Sequence, residues 1–196
     1  MSIRLGIDAS QPVASCAVST GHEIIADFTM DKPIENFPLL IRKTLSQAQI
    51  GFRDIDEIIV CIGPGSQTGV RTAVVTANTL AMALGKPVAG VLSIDAAAAI
   101  ALKEKPYKVA VSAGRSRWYE ADYCLSEGLL CRSGEIQLID KLPEGMNPSF
   151  MPASPDCDCV RTCAYGGLLI AEEHRQLIVQ PSNGTVLPYE HVLQNK

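Results

Sequence analysis

The sequence has few charged and aromatic residues and no basic character. Of its 196 residues, 19% are charged and 5% are aromatic, and the formal net charge is -4. An acidic chain offers no surface to which a nucleic-acid backbone would bind strongly, so any contact with nucleic acid would be shared with a basic partner. The low charged fraction also indicates that part of the surface is covered.

Long apolar runs and an N-terminal signal are missing as well. No uninterrupted apolar stretch is long enough to cross a bilayer. The first four residues lead directly into a predicted strand, which leaves no room for the apolar core of a secretory signal. We therefore expect a cytoplasmic protein that makes no contact with a membrane.

Residues for metal-dependent or nucleophilic catalysis are scarce. The three histidines, His22, His174 and His191, are far apart in the sequence, and no HExxH pattern is present. A metallopeptidase needs a paired-histidine metal site, and a cysteine hydrolase needs an anchoring motif, neither of which the sequence provides. We expect no cofactor, and an ATP-binding or metallopeptidase-type enzyme is the alternative to a binding protein.

The cysteines favour a reduced protein over a disulfide framework. Their number, seven, is odd, and several lie inside predicted apolar strands, where a free thiol behaves as a small hydrophobic side chain. Cys157, Cys159 and Cys163 form a cluster that could bind zinc together with a histidine such as His174. Because the spacing is not a common zinc pattern, a cluster of reduced cysteines without metal is the favoured alternative.

Charged residues are also scarce between residues 58 and 85, the stretch around which we expect the fold to be built. Residues 58–62 are apolar and rich in β-branched side chains, which predicts a strand buried on both faces. Gly63-Pro64-Gly65-Ser66 predicts a turn and the start of a helix, and the helical pattern extends over residues 68–85. Between Arg71 and Lys86 this helix has no charged side chain.

The two faces of this helix have different expected environments. The face expected to pack on the sheet carries Val70, Ala73, Val74, Ala77, Ala81 and Leu84. The opposite face carries Thr72, Val75, Thr76, Thr79, Met82 and Ala83. An exposed helix would carry lysine and glutamate there, so a helix without charge is normally buried all round. Either another part of this chain or a partner protein is expected to cover the second face.

Two turns are weak candidates for a phosphate site. Asp8 and Ser10 follow the first predicted strand, where related ATP-binding folds place a carboxylate and a hydroxyl near the phosphates, but those folds need a glycine where this chain has Ala9. The GPGS turn could hold a phosphate at a helix N-terminus, yet it lacks the lysine and the spacing of GxxxxGK[ST]. Setting the angle between strand and helix is its favoured role.

The remaining pattern predicts a mixed sheet covered by helices, followed by a smaller second unit. In the first unit, strands are expected at residues 3–8, 14–19, 23–29, 58–62, 88–92 and 108–112, and helices at 38–49, 68–85 and 94–102. In the second, strands are expected at 118–125, 129–132, 135–139 and 176–179, a helix at 165–174 and an exposed loop at 143–155. We place the domains at residues 1–112 and 113–196, with a tail that packs across the first domain or frays.

The order of these elements and one local signature resemble known proteins. Three strands followed by alternating helices and strands resemble the ribonuclease-H-like fold of the actin, Hsp70 and sugar-kinase superfamily, here with a truncated second α/β domain. The opening Ile7-Asp8-Ala9-Ser10 and the residues at 113–119 are similar to the TsaB (YeaZ) family of bacterial tRNA threonylcarbamoyladenosine biosynthesis proteins. So is the signature turn, which comprises Gly63, Pro64, Gly65, Ser66, Thr68 and Gly69.

The resemblance implies a non-catalytic scaffold that lacks working ATP and metal sites. It implies binding to a homologous TsaD-like catalytic subunit, which transfers a threonylcarbamoyl group to the adenosine beside the tRNA anticodon with support from a TsaE-like ATPase. Contact with tRNA would be indirect, and the chain would form a homodimer when the partner is absent. We expect the interface on the two helices of the first domain, at Leu39, Leu40, Arg71, Thr72, Val75, Thr76, Thr79 and Met82.

Overall fold

A computed structural model describes residues 1–31, 33–142, 163–179, 181 and 183–189. The chain begins with three strands, β1 (Ile3–Asp8), β2 (Val13–Thr20) and β3 (Glu23–Asp31). They pair in sequence order as an antiparallel sheet, which confirms the predicted meander. Short connections between strands favour this pairing, because antiparallel neighbours need only a tight turn.

Two further strands extend the sheet on the other side of β1. Strand β4 (Glu57–Cys61) pairs in parallel with β1, and β5 (Val88–Val91) pairs in parallel with β4. Nearly every residue of β4 and β5 is buried, as expected for strands with helices on both faces. The apolar run that predicts β4 is therefore explained by the position of this strand in the middle of the sheet.

Three helices alternate with these strands. They are α1 (Pro33–Gln47), α2 (Gln67–Leu84) and α3 (Ser93–Ile100). Helix α1 begins five residues before its predicted start at Pro38, and it is kinked at Asn36, whose backbone angles are not helical. A proline is common in the first turn of a helix and disrupts a helix interior, so Pro38 inside α1 is unusual. Here the chain tolerates the proline just after a kink.

A separate three-stranded antiparallel sheet follows, formed by β6 (Tyr107–Gly114), β7 (Arg117–Ser126) and β8 (Leu129–Ile139). The expectation that residues 108–112 add a strand to the first sheet is wrong, because β6 pairs with β7. The two short strands expected at 129–132 and 135–139 are one strand. Gly134 lies in its interior with a φ of +95°, and the pairing register with β7 shifts at this place.

The last described elements return to the six-stranded sheet. Helix α4 (Cys163–Glu173) packs on β1, β2 and β4, and β9 (Ile178–Val179) pairs with the outer edge of β5. The strand expected at 176–179 is shorter than predicted, because residues Arg175–Leu177 form a single 3-10 turn. The loop expected at 143–155 lies outside the described residues.

The sheet order is β3-β2-β1-β4-β5-β9, with helices on both faces. Helix α4 lies over Gly6, Ile59 and Cys61, and α1 and α2, which touch each other, lie on the opposite face. This arrangement confirms the ribonuclease-H-like fold class. The domain boundary between residues 112 and 113 stays a prediction. In the structure β6 crosses this boundary as a strand of the second sheet, and α4 packs on the first sheet.

No helix in the described part of the chain has the length and apolarity to span a membrane.

Candidate functional site

The turn between β4 and α2 caps the helix that carries the candidate site. Ser66 is the N-cap residue, and its hydroxyl accepts a hydrogen bond of 3.3 Å from the backbone N–H of Gly69. Gly63 has a φ of +96°, a conformation that residues with a Cβ rarely adopt. The predicted turn and capping serine are confirmed, with the helix starting one residue earlier than expected.

The same turn is in direct contact with the turn between β1 and β2. The backbone N–H of Ser66 donates to the carbonyl of Ser10 at 2.7 Å. A Cβ atom on Gly65 would lie 2.2 Å from the Ser10 oxygen, and one on Gly69 would lie 1.8 Å from the Ala9 oxygen. Both glycines therefore allow the start of α2 to approach the first turn closely, and a phosphate cannot lie between the two turns in this arrangement.

The weak phosphate-site candidates Asp8 and Ser10 are both buried. Asp8 is 0% exposed, and its carboxylate accepts a 2.9 Å hydrogen bond from the backbone N–H of Ser10, the usual bond of an aspartate in a turn. Ser10 is 1% exposed and lies 3.5 Å from the amide of Gln11. The side chains of Asp8 and Ser10 thus contribute to the structure of the turn.

One face of α2 packs on the sheet as predicted. Val70, Ala73, Val74, Ala77 and Ala81 are buried, and Leu84, at the end of the same face, is partly buried. These side chains meet the apolar strands β1, β4 and β5. The helical spacing of the apolar residues therefore identifies the core face correctly.

The opposite face carries a row of four uncharged side chains, Thr72, Val75, Thr79 and Met82, which we call the α2 stripe. The side chains of Val75 and Met82 are 64% and 81% exposed, so no described residue covers them. The spacing of three, four and three residues follows one side of the helix over about 15 Å. This is the spacing of a seam between two packed helices.

The threonines of the α2 stripe need no outside hydrogen-bond partner. The hydroxyl of Thr72 donates to the carbonyl of Thr68 at 2.9 Å, and that of Thr79 donates to the carbonyl of Val75 at 2.7 Å. Because these hydroxyls are paired within the helix, their burial would leave no donor unsatisfied. The α2 stripe can therefore pack against another surface at little polar cost.

The other predicted interface residues differ in accessibility. Leu39 on α1 is 45% exposed, and Arg71 is exposed in the first turns of α2. Thr76 is partly buried beside the α2 stripe. Leu40 is a correction, because it is 1% exposed and belongs to the core. It lies on the side of α1 that packs on the sheet, where a partner cannot reach it.

A segment near the C-terminus crosses α2 beside the α2 stripe. We call residues 185–189 the tail strap. The side-chain amide of Asn78 donates to the carbonyl of Val186 at 3.0 Å, and its oxygen accepts from the N–H of Val186 at 3.1 Å. Further on, the N–H of Tyr189 donates to the carbonyl of Ile62 at 2.7 Å. The tail therefore packs across the first sheet, one of the two predicted outcomes.

The tail strap also closes a small cavity next to the signature turn. Its volume is about 20 Å³, room for about one water molecule, and its lining includes Gly65, Gln67, Tyr119, Pro188 and Tyr189. The cavity is too small for a nucleotide. Sequence analysis missed Asn78 as the residue that holds the strap, because its partners are backbone atoms 108 positions away.

A buried polar cluster joins α3 to the second sheet. Asp95 is 1% exposed, and its carboxylate accepts hydrogen bonds from the Tyr123 hydroxyl at 2.6 Å and from the Arg132 guanidinium at 2.7 Å. Burial raises the pKa of the Asp95 carboxyl, whereas Arg132 and Tyr123 act in the opposite direction. Sequence analysis missed this cluster, since the partners of Asp95 lie in distant strands of the second sheet.

Of the proposed zinc ligands, only His174 has a side chain that the structure describes. Cys157 and Cys159 lie outside the described residues, and of Cys163 only the position at the start of α4 is known. His174 is 3% exposed, and its Nδ1 accepts a hydrogen bond from the N–H of Leu130 at 3.3 Å. Burial lowers the pKa of His174. Within the part of the chain that the structure describes, no three potential ligands form a metal site.

Comparisons with known proteins agree with the fold. The TsaB protein of tRNA threonylcarbamoyladenosine biosynthesis from Bacillus subtilis is 31% identical over 99 residues, which cover 48% of this chain and 43% of that protein. The structure of YeaZ from Pseudomonas aeruginosa superposes with a TM-score of 0.64 at 25% identity, covering 78% of this chain and 73% of YeaZ. The resemblance to TsaB (YeaZ) is confirmed.

A family model and a mycobacterial relative extend the comparison. An uncharacterized protein of Mycobacterium tuberculosis is 30% identical over 129 residues, or 63% of this chain, and the match spans only 60% of that relative's length. The model of TsaD, tRNA N6-adenosine threonylcarbamoyltransferase, matches residues 27–133, which is more than half of the chain and includes α1, α2 and the signature turn. The chain therefore belongs to the TsaD family and, within it, is similar to the TsaB (YeaZ) proteins.

Proposed function

We propose that this chain is a non-catalytic subunit in tRNA threonylcarbamoyladenosine biosynthesis and binds a TsaD-like threonylcarbamoyltransferase through α1 and α2. The family match and the name of the Bacillus subtilis relative support the pathway. In this proposal a TsaE-like ATPase joins the assembled complex in the cytoplasm. The tRNA contacts the chain only indirectly, in keeping with the net charge of -4.

The exposed α2 stripe is the observation that carries this proposal. Val75 and Met82 are large apolar side chains on a helix that has no charge between Arg71 and Lys86. Isolated exposed apolar residues are common on monomers, but an uncharged row along one helix side is typical of an interface. Leu39, on the helix α1 that touches α2, is a further exposed apolar side chain.

A homologous subunit is a suitable partner for this surface. A protein with the same fold carries helices in the same two positions, and the three-four-three spacing of the α2 stripe fits a helix packed nearly parallel or antiparallel to α2. Pairing of two identical surfaces satisfies the same need, so we expect a homodimer when the partner is absent. In this proposal Arg71, which is exposed at one end of the α2 stripe, pairs with a carboxylate of the partner at the rim.

The first turn favours binding over catalysis. Asp8 and Ser10 are buried in the turn, and the start of α2 is bonded directly to it, so the groups that would bind phosphate in related folds are engaged within the chain. The small cavity beside the signature turn would not hold a nucleotide. These two observations support a scaffold role for the chain.

The test is the association of purified wild-type and Val75→Glu proteins with the TsaD-like subunit of the same organism, measured by light scattering and calorimetry. A carboxylate buried at the interface without a partner should weaken binding by about 2 kcal/mol or more, roughly 30-fold. Leu129→Glu is the matched control, because Leu129 is 43% exposed on β8, in the second sheet. Equal binding by Val75→Glu and wild type would refute the assignment of this surface.

A further inference from the structure

Asn78 belongs to the same side of α2 as the α2 stripe, but its role is different. It lies three residues after Val75 and four before Met82, so the three side chains are neighbours on the helix. Unlike them, Asn78 is partly buried. Its amide nitrogen donates a hydrogen bond to the carbonyl of Val186, and its amide oxygen accepts one from the N–H of Val186. Both ends of the amide are thus paired with the tail strap.

The hydrogen bonds of Asn78 attach to α2 the residue that precedes an exposed leucine. Val186 directs its side chain into the core, where it is 2% exposed. The next side chain, Leu187, is directed outward and is 40% exposed. Since the backbone of Val186 is bonded to Asn78, Leu187 directly follows the point at which the strap is attached to α2. Val75 and Met82 are thus within one helical turn of Asn78, and the exposed Leu187 follows the residue that is bonded to it.

The tail strap is also fixed at its far end. The N–H of Tyr189 is bonded to Ile62 at the end of β4, and Pro188 and Tyr189 pack over the signature turn. A Cβ on Gly63 would lie 3.3 Å from the Cβ of Tyr189, which shows how closely the strap approaches this turn. Leu187 is thus held between two anchored residues, which reduces the entropy lost when it packs against a partner.

We propose that the tail strap forms one edge of the surface that binds the TsaD-like subunit, with Leu187 in contact with the partner and Asn78 as the residue that positions it. This inference rests on the proposed function, because the occupant is the same homologous subunit. Its support is the point of attachment: Asn78 is a helical neighbour of Val75 and Met82, and the exposed Leu187 follows Val186, which Asn78 bonds. Asn78 acts through the strap and needs no contact with the partner itself.

The experiment compares binding of the TsaD-like subunit to four full-length proteins by isothermal titration calorimetry. These are the wild type, Leu187→Asp, Val75→Glu and the control Leu129→Asp. We expect Leu187→Asp to weaken binding by about tenfold or more, because a carboxylate replaces an apolar contact, and Leu129→Asp to remain within about twofold of wild type. Thermal unfolding of each isolated protein checks that the exposed substitutions leave the fold intact.

The positioning role of Asn78 has its own test. In the isolated chain, Asn78→Ala should accelerate hydrogen exchange at the amides of Val186 and Tyr189, because the strap loses two hydrogen bonds. Once the strap is released from α2, Leu187 is no longer held in the position where it would contact the partner. Leu187→Asp should therefore weaken partner binding much less in the Asn78→Ala protein than in the wild type, a non-additivity that a purely structural role of Asn78 would not produce.

The outcomes separate this inference from the proposed function. If Val75→Glu loses binding while Leu187→Asp binds like wild type, the strap is not part of the surface and only this inference fails. If the wild type itself does not bind the TsaD-like subunit, both fail. Additive effects of Asn78→Ala and Leu187→Asp, or unchanged exchange at Val186 in Asn78→Ala, would overturn the positioning role.

Discussion

Helices α2 and α4 lie on opposite faces of the same sheet and are both almost free of charge, but only one of them is covered. Helix α4 has no charged residue before Glu172, and it lies between the six-stranded sheet and α3. Its residues Leu168, Ile170 and Ala171 are 0% exposed. On α2, by contrast, Val75 is 64% exposed although its neighbour Val74 is buried.

The difference shows that an uncharged helix is a sign of burial but does not identify what buries it. The composition of α4 is explained by α3, whose residue Ala96 lies against Gly166. No described residue plays this part for α2. An apolar helix whose cover is missing from its own chain is the kind of surface on which subunits associate. The comparison therefore supports an external partner for α2 and none for α4.

The largest effect should follow from separating α4 from its cover. A Cβ on Gly166 would lie 2.2 Å from the carbonyl oxygen of Ala96, so Gly166→Ala forces α3 and α4 apart. We expect the free energy of unfolding to fall by about 2–3 kcal/mol, measured by urea denaturation.

The adjacent glycine provides the control for this variant. A Cβ on Gly167 would meet Ile59 at 3.5 Å and Cys61 at 3.7 Å, which are ordinary contacts. Gly167→Ala should therefore leave stability unchanged or raise it by about 0.5–1 kcal/mol through its higher helix propensity. Equal losses for both variants would mean that α4 is not packed against α3 as closely as described.

The second prediction compares the two faces of α2 directly. Val74→Ala removes buried methyl groups from the core face and should lower the free energy of unfolding by about 1–3 kcal/mol. Val75→Ala, one position further, should change it by less than about 0.5 kcal/mol, because most of that side chain is in water.

Dilution distinguishes the free chain from an assembled one. Urea denaturation of both variants at low protein concentration reports on the monomer, where the difference between the faces should be largest. A loss at Val75 as large as that at Val74 would show that the α2 stripe is already covered in the isolated protein. Its dependence on protein concentration would then tell a homodimer from an internal cover.

These results show which features sequence patterns can predict. The helical spacing of α2 separated Val74 from Val75 correctly, because side-chain direction on a helix follows directly from position. The GPGS turn and its capping serine were equally predictable, since local chemistry determines them. The order of the first strands followed from the short turns between them.

Features that depend on distant residues were missed. The pairing of β6 with β7 instead of the first sheet depends on which strand edge is free, and this cannot be read from the pattern of residues 108–112. Leu40 was assigned to the interface beside Leu39, although one step along a helix turns a side chain by about 100° and places it in the core. The bonds of Asn78 to Val186 connect residues too distant in sequence for any local signal.

The smallest predicted effect concerns α3, the cover of α4, and its attachment to the second sheet through Asp95. Burial raises the pKa of this carboxyl, whereas Arg132 and Tyr123 act in the opposite direction. A raised pKa means that the folded state holds the proton more tightly than the unfolded state, so the contribution of Asp95 to stability is greatest below the unfolded pKa. That contribution is lost as the pH rises through the folded pKa.

The Asp95→Asn variant isolates this contribution, because asparagine does not titrate. The free energy of unfolding of the wild type minus that of the variant should therefore decrease as the pH is raised from about 4 towards neutrality, measured by urea denaturation at each pH. A difference that instead increases with pH would show that the hydrogen bonds from Arg132 and Tyr123 outweigh burial. The cluster would then stabilise the charged carboxylate and hold α3 more firmly at neutral than at acidic pH.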